Sequence, residues 1–161
     1  MYDTPKDLLD ALRATPTVLE ALLRDCTQEQ AQRAKGGDEG WSVVEVVCHL
    51  RDAEERALER MRAMRDQVDP LLPGYDQEQW ALERNYASAQ LSKALTGFMR
   101  FRSQHIAELG ALASADWERT GQHAEVGRIT IASHTLHVVS HDLVHAAQLA
   151  RQLGGNGGQP R

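Results

Sequence analysis

A run of histidines on an apolar helix constrains this chain more than any other feature. His134, His137, His141 and His145 follow one another in steps of three, four and four. At about 100° per residue an α-helix gathers them into an arc of about 80°, a single stripe along its side. Ile131, Val138, Val139, Leu143, Val144, Leu149 and Leu153 surround that stripe. A helix that is apolar nearly all round is buried among others, so the pattern predicts a bundle with imidazoles in its interior. Each buried imidazole is costly unless it finds a partner.

The remaining periodicity supplies the other helices of an all-α fold. Thr4, Pro5 and Asp7 read as a helix start, and Pro16 predicts a kink or a break in the segment that follows. Ser42 with Glu45 forms a capping box, and Trp41 can pack on Val46 as a staple. From there a helix is expected over 42–67, with Val43, Val46, Val47, Leu50, Ala53, Ala57, Met61 and Met64 on one face. Pro70, Pro73 and Gly74 make 69–74 a loop, and 76–86 has room for a short helix. A third long helix is expected over 88–113, a polar connection over 121–128, and the histidine helix from Thr130 to Gly154. The expected organisation is one domain over 1–155 and a flexible tail over 156–161.

Composition removes several function classes. A net charge of −5 gives no electrostatic footprint for nucleic acid. No apolar run approaches membrane-spanning length and no leader pattern opens the chain, so a cytoplasmic protein without membrane contact is expected. Cys26 and Cys48 stand in no C-x-x-C spacing and read as reduced thiols.

A metal ion is the economical partner for the stripe, because residues one helical turn apart place two ring nitrogens on one ion. His141 and His145 have that spacing. His49 on the 42–67 helix supplies a third ligand, in line with Glu45, Asp52 and Arg56. His137 and His134 are weaker candidates, and His105 and His123 read as surface or loop residues. His141-Asp142-Leu143-Val144-His145 is similar to H-E-x-x-H, but Asp is one methylene short and no downstream ligand follows, which argues against a metalloprotease. The chain has no E-x-x-H, which argues against a di-iron bundle.

Residues 41–54, Trp41-Ser42-Val43-Val44-Glu45 through His49 to Glu54, resemble a motif of the DinB-like family, and Ser140 to Leu149 resemble its second motif. Gly127-Arg128-Ile129-Thr130 resembles the segment that precedes it. The resemblance implies a four-helix bundle of the DinB/YfiT type, often a homodimer, with one divalent metal ion, commonly nickel or zinc and with iron also acceptable, on His49, His141 and His145. It also implies kinship with bacillithiol S-transferases and mycothiol-dependent enzymes. The leading expectation is therefore transfer of a low-molecular-weight thiol to an electrophilic small molecule. Glu45, Asp52 and Asp142 are the candidate catalytic carboxylates, and Arg56, Trp80 and His137 the candidate substrate-binding residues. The alternatives are a metal-dependent small-molecule hydrolase, or a stress-associated binding module with a structural metal.

Overall fold

The protein is described by a computed structural model covering residues 4–37 and 40–154. The tail expected over 156–161 lies outside the described residues. In chain order the elements are α1 (Pro5–Leu23), α2 (Gln28–Arg33), β1 (Lys35–Gly36), β2 (Trp41–Ser42), α3 (Val43–Asp66), β3 (Leu71–Leu72), α4 (Gln77–Glu83), α5 (Leu91–Gly110), β4 (Thr120–His123), β5 (Gly127–Thr130) and α6 (Ile131–Gly154). Single 3-10 turns at Tyr86–Ser88 and Ser114–Glu118 flank α5. Helix α3 lies against α5 and α6, and α1 against the same two, which is a four-helix bundle. No helix among the described residues is long and apolar enough to cross a membrane.

Local chemistry sets the helix starts. Thr4 and Asp7, and Ser42 and Glu45, exchange side-chain and backbone hydrogen bonds as capping boxes at α1 and α3. At α6 the Ser133 amide donates to the Thr130 hydroxyl over 3.0 Å, and the Thr130 amide donates to the Ser133 hydroxyl over 2.9 Å. These starts fix where along the bundle His49, His141 and His145 stand.

Of the kink or break expected at Pro16, the break is not found, since helix α1 is continuous from Pro5 to Leu23. A proline inside a helix lacks the N–H that would bond the carbonyl four residues back. That carbonyl belongs to Leu12, and here it accepts a hydrogen bond of 3.2 Å from the Arg102 guanidinium on α5. A neighbouring helix thus makes good the missing donor.

The polar connection expected over 121–128 is also more ordered than the sequence indicates. β4 and β5 form an antiparallel hairpin, with Thr120 opposite Thr130 and His123 opposite Gly127, and β3 adds to β4 in parallel. Gly127 has φ +79°, a conformation that L side chains rarely adopt. Gly121 lets the hairpin press onto the bundle, because a Cβ there would lie 2.8 Å from Leu72 and 2.9 Å from Met64. Short strands with mixed polar composition carry almost no alternation, so the sequence signal for them is weak.

The core is divided in two. One apolar cluster holds Leu19, Leu50, Phe98 and Leu149, and the other Leu12, Ala57, Leu109 and Val139. On all four bundle helices the residues between these groups are polar and buried: Thr15, Glu54, Arg102, His105 and Asp142. Arg102 sits at the centre of this layer, donating to Asp142 over 2.7 and 3.1 Å and to Glu54 over 2.7 Å. Thr15 donates to Asp142 and His105 pairs with Glu54, each over 2.8 Å. Burial opposes ionisation of Glu54, yet Arg102 and His105 beside it hold the carboxyl well below the usual range.

Candidate metal centre

His49 lies on the second helical turn of α3, and His141 and His145 lie one turn apart on α6. The Nε2 atoms of His49 and His141 are 2.8 Å apart, and ligand atoms from all three residues lie within 4.8 Å of one another. Ring centroids are separated by 4.9 Å for His49 and His141, 4.8 Å for His49 and His145, and 4.4 Å for His141 and His145. Trp41 packs against the His49 ring at 5.1 Å and closes that side.

Electrostatics favour the ligand form of these rings. Burial, reinforced by the neighbouring His145, lowers the His49 pKa to about 3. Burial and the other imidazoles push His141 well below its ordinary value. Neutral imidazoles keep a lone pair for a metal. A set of nitrogen ligands suits a divalent transition ion and is unsuited to magnesium or calcium, which demand oxygen. Cys48 is no competitor, since burial lifts its thiol to about 11.

Gln148 completes the arrangement. Its side-chain carbonyl lies 2.8 Å from His145 Nδ1, which makes that nitrogen the donor and assigns the ligand role to Nε2. Its amide reaches the Gly36 carbonyl over 3.3 Å, which anchors it to the β1 strand. Gln148→Ala is expected to lower metal affinity by about 10–100-fold, measured by competition with a chromogenic chelator, with helical content unchanged.

One member of the three-histidine group, His141, lines a cavity. An outer lobe of about 530 Å³ is lined by Arg60, Tyr75, His123, Val126, Ile129, His137 and His141, among others. A narrow inner lobe shares Arg60, Tyr75, His134, His137 and His141 with it and is lined besides by Leu50, Ala53, Arg56 and the Arg102-bound carboxylates Glu54 and Asp142, among others. Tyr75 belongs to the segment between β3 and α4, and His123 and Ile129 belong to the hairpin, so both insertions between bundle helices wall the same space.

A match to the DinB superfamily spans residues 11–149. The chain belongs to that superfamily. Among curated relatives of this DinB chain, a protein of Oceanobacillus iheyensis named "Putative metal-dependent hydrolase" is 25% identical over 141 residues, covering 88% of this chain and 81% of its own length. YfiT of Bacillus subtilis, which carries the same descriptive name, is 23% identical over 150 residues and is matched over 91% of this chain and 84% of its own. The solved structure of YfiT, described as a four-helix bundle of unusual topology, superposes with a TM-score of 0.80, covering 93% of this chain and 87% of that one at 23% identity.

Within this DinB bundle the structure brings His49, His141 and His145 together and puts His137 and Arg56 on the cavity wall. Of the candidate carboxylates, Asp142 also lines the inner lobe, whereas Glu45 and Asp52 line neither lobe. Glu45 is held by the Ser42 amide at 2.8 Å and the Ser42 hydroxyl at 2.7 Å, so it serves as a helix cap. Asp52 stands three residues beyond His49, about 60° round α3, and accepts from Tyr86, Arg51 and Arg84 over 2.5, 2.6 and 2.8 Å. Asp142 is committed to Arg102 and Thr15. Trp80 lies behind the cavity wall, stacked on Tyr75 at 4.4 Å and beneath the Arg84 guanidinium at 3.9 Å.

Two histidines read as surface or loop residues need correction as well. His105 is fully buried against Glu54, because the buried face of α5 runs through Phe98, Arg102, His105 and Leu109. His123 sits on β4 and lines the outer lobe. His134 is buried too, with Nε2 3.2 Å from the Ala57 carbonyl, and burial lowers its pKa to about 3. The unfolded chain takes up this proton near pH 6.5, whereas the folded chain resists it down to about 3. The stabilisation is thus complete above pH 6.5 and lost as the pH falls, by about 1.4 kcal/mol per pH unit for this one group. Denaturant unfolding between pH 7.5 and 5.0 should show this slope reduced in His134→Gln.

Proposed function

We propose that this protein is a metal-dependent enzyme that hydrolyses a small molecule bound in the cavity beneath α4 and the β4–β5 hairpin. The observation that carries the reading is the position of His141, whose ring belongs both to the three-histidine group and to the wall of both cavity lobes. A metal held wholly for structure has four protein ligands and no such opening. His49, His141 and His145 would hold the ion, zinc or nickel by the donor set and iron as a further possibility. A bound ion of this kind supplies a lowered pKa for a water at its open position.

The chain's own residues do the rest. Gln148 keeps His145 in the tautomer that presents Nε2 to the site. Trp41 and the apolar residues of the inner lobe, Leu50, Ala53, Ala57 and Val138, exclude bulk water around the reacting centre. His137 is exposed on the cavity wall with its ring 6.3 Å from that of His141, one turn away on α6. It would take a proton from the nucleophile and return it to the leaving group. Committed to Ser42, Tyr86 and Arg102 respectively, Glu45, Asp52 and Asp142 stay out of that exchange.

The same site would serve a thiol as nucleophile, and one experiment separates the two. Metal-loaded protein is incubated with 4-nitrophenyl acetate in ¹⁸O-water, and in parallel with cysteine and monochlorobimane. Hydrolysis with solvent oxygen in the product, absent in His141→Ala, supports the proposal. Cysteine adducts without hydrolysis would replace it with thiol transfer. Neither product from fully metal-loaded protein would leave the metal a structural role.

A further inference from the structure

We infer that the cavity is built for a small organic anion and that Arg60 is its receptor. This deepens the proposed function, on which its catalytic meaning rests, by naming a substrate class. Arg60 lines both lobes of the cavity alongside His134, His137 and His141. Its guanidinium is half-buried, and among the described residues no carboxylate lies within 4.0 Å of it. The Nε has no hydrogen-bond partner, and one terminal nitrogen donates to the Pro73 carbonyl over 2.7 Å. Burial depresses its pKa and Arg56 adds to this, against opposing contributions from Tyr75, from Glu125, which lines the outer lobe without pairing to Arg60, and from Glu59.

This is an unusual environment for a cation. Arg56, one turn earlier on α3, is paired with Glu59 over 2.9 Å, and Arg102 in the core has two carboxylates. Arg60 has the ring of Tyr75, with its centroid 6.0 Å away, and one peptide oxygen. A partly desolvated guanidinium without an anion is costly. Such a group is retained where a ligand supplies the charge, and the planar fork of arginine suits a carboxylate or phosphate oxyanion. Val126 and Ile129 of the hairpin give the outer lobe an apolar side for the body of that ligand. Arg60 is 11 residues beyond His49 on α3, about 16 Å along the axis at 1.5 Å per residue. Arg60 nevertheless opens on the same two lobes as the histidines His134, His137 and His141. A molecule held there by its acid group would reach them with its other end.

The purely structural alternative is that Arg60 only fastens the segment between β3 and α4 through Pro73 and Tyr75. Equilibrium binding of benzoate, phenyl phosphate and the neutral benzamide separates the two readings. The proteins compared are the wild type, Arg60→Gln, Arg60→Lys, His49→Ala and the surface control Arg100→Gln. Benzoate or phenyl phosphate should bind at least about tenfold more tightly than benzamide to the wild type. That preference should vanish in Arg60→Gln, survive in part in Arg60→Lys, and persist in Arg100→Gln. Which anion binds more tightly tells carboxylate from phosphate recognition. Persistence of the preference in His49→Ala shows that it belongs to Arg60, whatever becomes of the metal reading. Equal affinity for benzamide, or a preference unchanged in Arg60→Gln, would overturn the inference. A general loss of binding to all three probes in Arg60→Gln would assign the residue to fastening the segment.

Discussion

Arg102→Met should destabilise the protein by about 3–5 kcal/mol, a large part of the 5–15 kcal/mol that holds a typical domain together. The guanidinium is 1% exposed and bonds to Glu54, Asp142 and the Leu12 carbonyl. Methionine fills much of the volume but leaves Asp142 in the core without a cation and Glu54 with His105 alone. It also removes the donor that compensates for Pro16 in α1. A fall in melting temperature of about 6–20 °C is expected, at about 2–4 °C per kcal/mol for a chain of this size. Adding Glu54→Gln and Asp142→Asn should recover part of the loss, because the stranded charges are then gone. A melting temperature within a degree or two of wild type for Arg102→Met would show that the polar layer contributes little.

The second large effect concerns the ion. His49→Gln keeps most of the side-chain volume, so the bundle should remain helical while the site loses one of its three nitrogen ligands. Removing only an outer partner of a ligand costs about 10–100-fold in affinity, and removing the ligand itself should cost more than about 100-fold. Chelator competition measures this directly, with circular dichroism as the check on folding. A loss smaller than tenfold would mean that His141 and His145 hold the ion without help from α3.

Much of the site is legible in the sequence, because its geometry is local. The step of four between His141 and His145 and the capping box at Ser42 fix which way these rings point before any tertiary contact forms. His49 needs one further inference, that α3 and α6 are neighbours, and the apolar faces supply it. What the sequence conceals depends on contacts distant along the chain. Nothing near Asp142 announces that Arg102 and Thr15 will claim it, and nothing near Asp52 points to Tyr86. These partners turn candidate catalytic carboxylates into structural ones. Arg102 and His105 do leave a trace, since they occupy the same helical face as Phe98 and Leu109, where a charged residue implies a buried partner. Gln148 leaves a similar trace, three residues beyond His145 on the stripe. Arg60 leaves none: its significance lies in having no carboxylate, which only the assembled cavity reveals.

The central claim is that three convergent imidazoles hold one ion beside a cavity that His141 lines. It is tested most directly by the metal content of the full chain, purified without a histidine tag and measured by elemental mass spectrometry. About one divalent ion per chain is expected, reduced to background in both His49→Ala and His141→Ala. A wild-type protein that takes up no metal after dialysis against zinc, nickel and ferrous iron, or variants that retain it, would contradict the account.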